Sequence, residues 1–302
     1  MTGTYHRRAY LALLAAGFGS GSGCTTAVGP GTQTDSPTDS ETTGSSSPAD
    51  DPTDAHSVVL ERVDVPESGT LTVLPPALAS WLRDAAEGES VREVVSVSHY
   101  TPQPSLLAFD AIELRAAGEP LGTFAVDADG GTYYKLLVGA NEVESVPENE
   151  TATPVSELPS ERRELARHAI GDERRTVQPQ TQLGEWVRNE WFQGYFRHDG
   201  VTYRGIEVQQ TDAAFFSKRF WVVLRLSETT ASGGDPVYVE LPQTNTETRV
   251  KLHEAVTEAR GEDGSGSPIE IPATELSDAG RTFVRETEYL LTHTSVFSVS
   301  VS

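Results

Sequence analysis

The chain has 302 residues with 45 Asp and Glu against 23 Lys and Arg, and the resulting net charge of -22 makes nucleic acid and anionic lipid poor partners for the surface as a whole. A single Cys excludes a disulfide scaffold and a Cys-rich zinc site, while 37% hydrophobic residues suffice for one or two modest cores.

Residues 1–23 hold Arg7 and Arg8, no acid, and an apolar run from Ala9 to Phe18 that falls short of the roughly 20 residues needed to span a bilayer. This pattern predicts a signal peptide. The run Arg7-Arg8-Ala9-Tyr10-Leu11 resembles the twin-arginine motif, which implies export of an already folded protein, with Arg7 and Arg8 as the export signal. Small residues Gly21-Ser22-Gly23 lead into Cys24, the only cysteine, where bacterial and archaeal lipoproteins are cleaved and lipidated. Cys24 therefore looks like a lipidated N-terminus, although the usual Leu or Val three residues earlier is replaced by Gly21. Losing Arg7 and Arg8 with the signal takes the charge from -22 to -24.

Residues 24–56 continue from Cys24 as an acidic linker of Ser, Thr, Pro and Gly, with six acids and no Lys or Arg after the cysteine. Nothing in it can be buried, so it reads as a disordered tether with a typical reach of about 30 Å.

Beyond the tether, Leu-Pro occurs three times, as Leu74-Pro75, Leu158-Pro159 and Leu241-Pro242. Each precedes an apolar helical pattern: Leu78, Trp81, Leu82 and Ala85; then Leu165, Ala166, Ala169 and Ile170; then Leu252, Ala255, Val256 and Ala259. Thr244 and Glu247 offer a capping box for the third. Asp129-Gly130-Gly131-Thr132-Tyr133 and Asp199-Gly200-Val201-Thr202-Tyr203 match each other, and Asp-Gly between apolar runs predicts a hairpin turn in both. Val58 to Val63, Val91 to His99, Leu106 to Leu114, Leu121 to Val126, Phe192 to Arg197, Ala214 to Leu226, Val237 to Leu241 and Val296 to Val301 read as mostly antiparallel strands. The expected architecture is α+β, in tandem small units that each pack an amphipathic helix on a hairpin-based antiparallel sheet. The units are residues 57–147, 148–233 and a degenerate third over 234–302. Between the first two, Asn149-Glu150-Thr151 makes Asn149 a glycosylation candidate.

The stretch from Glu157-Leu158-Pro159-Ser160 through Tyr195-Phe196-Arg197-His198 to Val208 resembles a small domain recurring in uncharacterised haloarchaeal exported proteins. More broadly, the chain resembles twin-arginine-exported lipoproteins with repeated small α+β domains. The composition agrees: only Lys135, Lys218 and Lys251 are lysines, as in exported halophilic proteins whose self-repulsion salt screens. The resemblance implies fold and habitat and carries no catalytic residue.

No pair of the seven histidines has the short spacing of a metal site, and Asp127-Ala128-Asp129-Gly130 lacks the later ligands of a calcium loop, so no metal and no cofactor are expected. No Gly-x-Ser-x-Gly elbow or phosphate-binding glycine loop is present, and no acid pair stands out among 45. Trp186, Trp191, Phe192, Tyr195 and Phe196, with Phe215, Phe216, Phe220 and Trp221, form the densest aromatic cluster. It reads either as core or as a ligand platform, with core the favoured reading. The expectation is thus an exported lipoprotein held at the extracellular face of the cytoplasmic membrane through Cys24, serving as a non-enzymatic interaction or structural module with a cell-envelope protein as a further partner. A solute-binding lipoprotein is the first alternative and a hydrolase the second.

Overall fold

The computed structural model describes residues 57–66, 68–208, 213–230, 237–242, 247–262 and 267–302. The expected signal with Arg7 and Arg8, the lipidation residue Cys24, the linker and the cap residue Thr244 lie outside the described residues. Over the described residues the chain is mixed α+β, with five α-helices and two sheets.

The first part comprises β1 (Ser57–Val63), β2 (Thr70–Val73), α1 (Pro76–Ala86), β3 (Val91–Ser96), β4 (Ala111–Ala116) and β5 (Glu119–Thr132). A lobe follows with β6 (Leu136–Glu142), β7 (Ala152–Pro154), α2 (Ser160–Ile170), β8 (Arg175–Val177), α3 (Gln182–Trp186) running into a π turn over Val187–Trp191, β9 (Tyr195–His198) and β10 (Val201–Glu207). The last part holds β11 (Arg219–Glu228), β12 (Val237–Leu241), α4 (Glu247–Glu262), β13 (Ile269–Pro272), α5 (Asp278–Glu286), β14 (Tyr289–Leu291) and β15 (Val296–Val301).

Ten strands form one sheet in the order β13-β1-β15-β14-β2-β12-β4-β5-β11-β3, and the lobe's five form a second, β7-β9-β10-β6-β8. The lobe is thus inserted between β5 and β11, which pair antiparallel from Phe220↔Thr132 to Glu228↔Phe124. Pairing is not uniformly antiparallel. β12 runs parallel to β2 and β4, and β14 parallel to β2; none of these pairs is consecutive in the chain, so no tight hairpin forces them antiparallel. Strand pairing also crosses the expected unit boundaries: β6 pairs with β10, and β11 with β5 and β3. It does not set three units in tandem.

The helix starts do follow the Leu-Pro positions. Pro75 and Pro159 sit at the N-caps of α1 and α2, where a missing N–H is tolerated, and α4 begins five residues after Pro242, at Glu247. Each of these helices closes a different core. α1 buries Leu78, Trp81 and Leu82 with Leu71, Ile112, Phe220 and Leu224; α2 buries Leu165 and Ala166 with Val138, Trp186 and Trp191; α4 buries Leu252 and Val256 with Leu60, Val284 and Phe297. The first and third cores share the large sheet on opposite faces, since Leu291 and Val296 face one and their neighbours Leu290 and Phe297 the other. The two Leu-Pro turns on this sheet are cross-tied: Arg83 on α1 donates to Pro242 O at 2.7 Å, and Arg249 on α4 donates to Val73 O and Leu74 O at 2.8 Å.

The matched Asp-Gly pairs have different fates. Asp199-Gly200 makes the expected turn between β9 and β10, with φ of 51° and 83°. Asp129-Gly130 lies inside β5, and the turn of that hairpin is Ala117-Gly118, with φ of 55° and 77°. Gly130 serves close approach instead: a Cβ there would lie 2.7 Å from both Pro104 Cγ and Trp221 O. The expected strand from Leu106 begins as a 3-10 turn over Ser105–Ala108, fixed by Ser105 N–H donating to His293 O at 2.7 Å.

Candidate functional site

The aromatic cluster divides into two populations. Trp186, Trp191, Phe196, Phe220 and Trp221 are buried, Trp186 and Trp191 almost completely, with Trp191 Nε1 donating to Gly139 O at 3.0 Å. Phe192 packs at the edge of the lobe core, and Tyr195 starts β9 half-buried. Phe215 and Phe216 instead stand 68% and 61% exposed on a turn before β11. Tyr100, which the sequence did not single out, is 55% exposed beside them.

Backbone bonds build this surface. Val97 N–H donates to Lys218 O at 2.8 Å and Thr101 N–H to Ser217 O at 3.1 Å, tying the segment after β3 to the one before β11. Ser217 Oγ reaches Tyr133 O at 2.7 Å. Tyr100 meets Phe216 edge-on at 6.4 Å, Phe215 meets Phe216 edge-on at 5.0 Å, and both ring pairs stand at 87°. Lys218 Nζ lies 4.6 Å over the Tyr100 ring, and the Arg219 guanidinium 4.3 Å over Tyr133.

The same Val95–His99 segment walls a cavity of about 120 Å³ that also touches His253, Val256 and Thr257 on α4 and Thr292, His293 and Thr294. Three histidines that the sequence spreads over 194 residues, from His99 to His293, thus meet at one cavity. The His293 ring lies 5.1 Å from Trp81 and 6.3 Å from both Phe220 and His253. Its Nε2 and His253 Nδ1 are buried without a hydrogen-bond partner. Burial, with a smaller contribution from His253, pushes His293 down to about 4, and burial also lowers His253 against the pull of Glu254. Both imidazoles are therefore neutral at neutral pH. Among the described residues no three His, Cys, Asp or Glu converge to hold a metal. At about 120 Å³ the cavity has room for a few waters or a solute of a few atoms, well under the roughly 300 Å³ at which ordinary ligand pockets begin.

Two carboxylates stand out from the surface acids. Glu185 on α3 bridges the lobe to the large sheet, at 2.6 Å from Arg92 on β3 and 2.7 Å from Arg225 on β11. Burial works against its ionisation, but the hydrogen bonds from Arg92 and then Arg225 outweigh it and hold Glu185 below the usual carboxylate range. Nearby, Arg188 pairs with Asp129 at 2.6 Å and lies 3.9 Å over the Trp221 ring. Glu207 at the end of β10 is pushed up by burial, and Tyr134, which hydrogen-bonds it, is pushed to about 12. The first group is a clamp between sheets, and the second pair is local to the lobe. Asn149 lies exposed in the turn closed by Glu150 N–H and Pro147 O at 2.9 Å.

Compared with known proteins, the chain matches no family model, no curated sequence and no solved structure.

Proposed function

We propose that this is an exported, lipid-anchored protein of the extracellular face of the cytoplasmic membrane, working as a non-enzymatic docking module in a halophilic setting. One structural observation carries the docking role: nearly every large aromatic side chain of the cluster packs into a core, yet Phe215, Phe216 and Tyr100 are gathered on one exposed surface. Monomeric proteins leave such a patch bare where something binds it. The export and anchoring half of the reading rests on Arg7, Arg8 and Cys24. The solute-binding alternative gains little from either cavity: the histidine-lined one is only about 120 Å³, and an open one of about 370 Å³ along α2 is lined by Ser160, Arg163, Glu164, Arg167 and His168, with no Phe, Tyr or Trp ring.

The finer reading of repeated helix-and-strand units is supported by matching local wiring. In Pro154-Val155-Ser156-Glu157-Leu158 and Pro272-Ala273-Thr274-Glu275-Leu276 a short strand passes through a 3-10 turn into a helix, and the Arg five residues after the Leu donates to its carbonyl. These are Arg163 to Leu158 O at 2.7 Å and Arg281 to Leu276 O at 2.8 Å.

The anchoring is tested by replacing Cys24 with Ser and by the intact mass of the mature N-terminus. A lipid-sized mass increment on the wild-type N-terminus, absent from the Cys24→Ser protein, with firmer membrane retention of the wild type, is the expected result. Equal membrane retention of both proteins, without a lipid mass, would overturn it.

A further inference from the structure

We infer that the Phe215-Phe216 turn and Tyr100 form a membrane-contact surface that seats in the interfacial zone of the bilayer, as a second anchor beside the lipid on Cys24. The inference rests on the proposed anchoring for which bilayer is nearby, whereas the contact itself is a property of the folded part.

Chemistry and geometry both favour a lipid surface. Two consecutive Phe side chains lie on a turn, and Tyr100 and Tyr133 carry the cations of Lys218 and Arg219 over their rings. Aromatic bodies at headgroup depth, with long basic side chains reaching phosphate oxygens, are the usual furniture of a membrane interface. Lys218, one of only three lysines in the chain, lies on this surface, and Tyr133 N–H donates to Arg219 O at 2.7 Å, holding the Arg219–Tyr133 pair at its edge. A sugar is a poorer occupant. It stacks on an open flat ring, but here the rings meet edge-on at 87° and the Tyr100 face is taken by Lys218.

Area argues the same way. Taking about 200 Å² for an aromatic residue, the three exposures leave about 370 Å² bare, under half the roughly 800 Å² each partner contributes to a stable protein interface. A membrane-anchored protein needs less, because the lipid already supplies one attachment and stable anchoring takes a second signal. The overall charge of -22 repels anionic lipid at low salt, but at about 1 M salt the screening length falls to about 3 Å while apolar burial is not weakened.

The test uses the full chain carrying Cys24→Ser, which cannot be lipidated, with phosphatidylcholine vesicles with or without phosphatidylglycerol, at about 0.1 M and about 1 M NaCl. Co-flotation is expected with phosphatidylcholine at both salt concentrations and with phosphatidylglycerol-containing vesicles at high salt, and is reduced about tenfold or more by Phe215→Ser with Phe216→Ser. In a second variant, Phe215→Trp, binding is retained and brominated lipid quenches the new indole. The inference is overturned if the Cys24→Ser chain does not float, if the double Ser variant floats equally, if flotation needs phosphatidylglycerol and vanishes at high salt, or if the indole of the Phe215→Trp variant is not quenched. Capture of an envelope protein by this surface without vesicle binding also overturns it. Failure of the anchoring reading is a separate result, a wild-type N-terminus without lipid mass, and leaves the vesicle outcome untouched.

Discussion

The histidine-lined cavity predicts a specific dependence of stability on pH. Burial against Trp81 and Phe220 pushes His293 from its ordinary value of 6.5 down to about 4. In the unfolded chain it takes up a proton near pH 6.5, and in the folded chain only near pH 4. Between those values the unfolded state binds more protons, so stability is fully present above pH 6.5 and is lost as pH falls toward 4. Two and a half units at 1.36 kcal/mol each give a loss of about 3 kcal/mol attributable to this side chain. His293→Phe removes the titration while keeping a ring against Trp81 and Phe220, and because His293 Nε2 has no partner it forfeits no hydrogen bond at that atom. At pH 7 the variant should lie within about 1.5 kcal/mol of wild type, as near-isosteric core changes do. Urea unfolding of both proteins at fixed salt, from pH 7 down to pH 4, should show the wild type losing about 3 kcal/mol more than the variant. His253, also lowered by burial, contributes a smaller slope common to both. Parallel stability curves for the two proteins across that window would refute the reasoning.

The clamp between sheets gives a second prediction. Glu185→Gln leaves Arg92 and Arg225 without their shared carboxylate and should lower stability by about 1–2 kcal/mol, whereas Asp127→Asn, at a 69% exposed partner of Arg225, should change it by less than about 0.5 kcal/mol. Both are read from thermal or urea unfolding, and since Glu185 is held low, its contribution is present above the ordinary carboxylate range and fades as pH falls below it. Glycine substitutions in the lobe give a third. Gly205→Ala would place a Cβ 2.1 Å from Trp191 O and should cost about 3 kcal/mol or more, while Gly200→Ala meets nothing within 4 Å and should cost only the positive-φ strain of about 1 kcal/mol. Equal midpoints for the two in urea unfolding would contradict the packing described.

The parts of the fold that local chemistry decides were legible. Leu-Pro marked the starts of α1 and α2 because the missing N–H and fixed φ of proline act on the adjacent turn, and Asp199-Gly200 marked a tight turn for the same local reason, whereas α4 starts five residues beyond Pro242. Asp129-Gly130 misled because one dipeptide serves two needs, positive φ or the absence of a Cβ, and only Pro104 and Trp221, brought in by other segments, decide which. The sheet order was not legible. β14 has three residues and β2 four, too few to show a period, and β1 finds its partners in β13 and β15 at the other end of the described chain. Joining β1 to β15 merges the strands of the first and third expected units into one sheet, while the helices still divide into three cores.

The candidate surface was half legible for a related reason. Sequence density located the aromatic cluster, but which rings are buried depends on where β11 begins. Ser217 N–H turns back to Ala214 O at 3.4 Å, the strand starts at Arg219, and Phe220 through Leu224 are then all buried because the sheet around them is covered on both faces. Phe215 and Phe216 fall on the turn side of that boundary and are left outside. His293 illustrates the opposite case: between Thr292 and Thr294 it reads as an ordinary polar loop residue, and only contact with Trp81 and Phe220 makes it a group whose charge the fold resists. The two features therefore carry separable signatures, a pH-dependent stability for the cavity and a salt-tolerant affinity for lipid at the aromatic turn, so a substitution in one should leave the readout of the other unchanged.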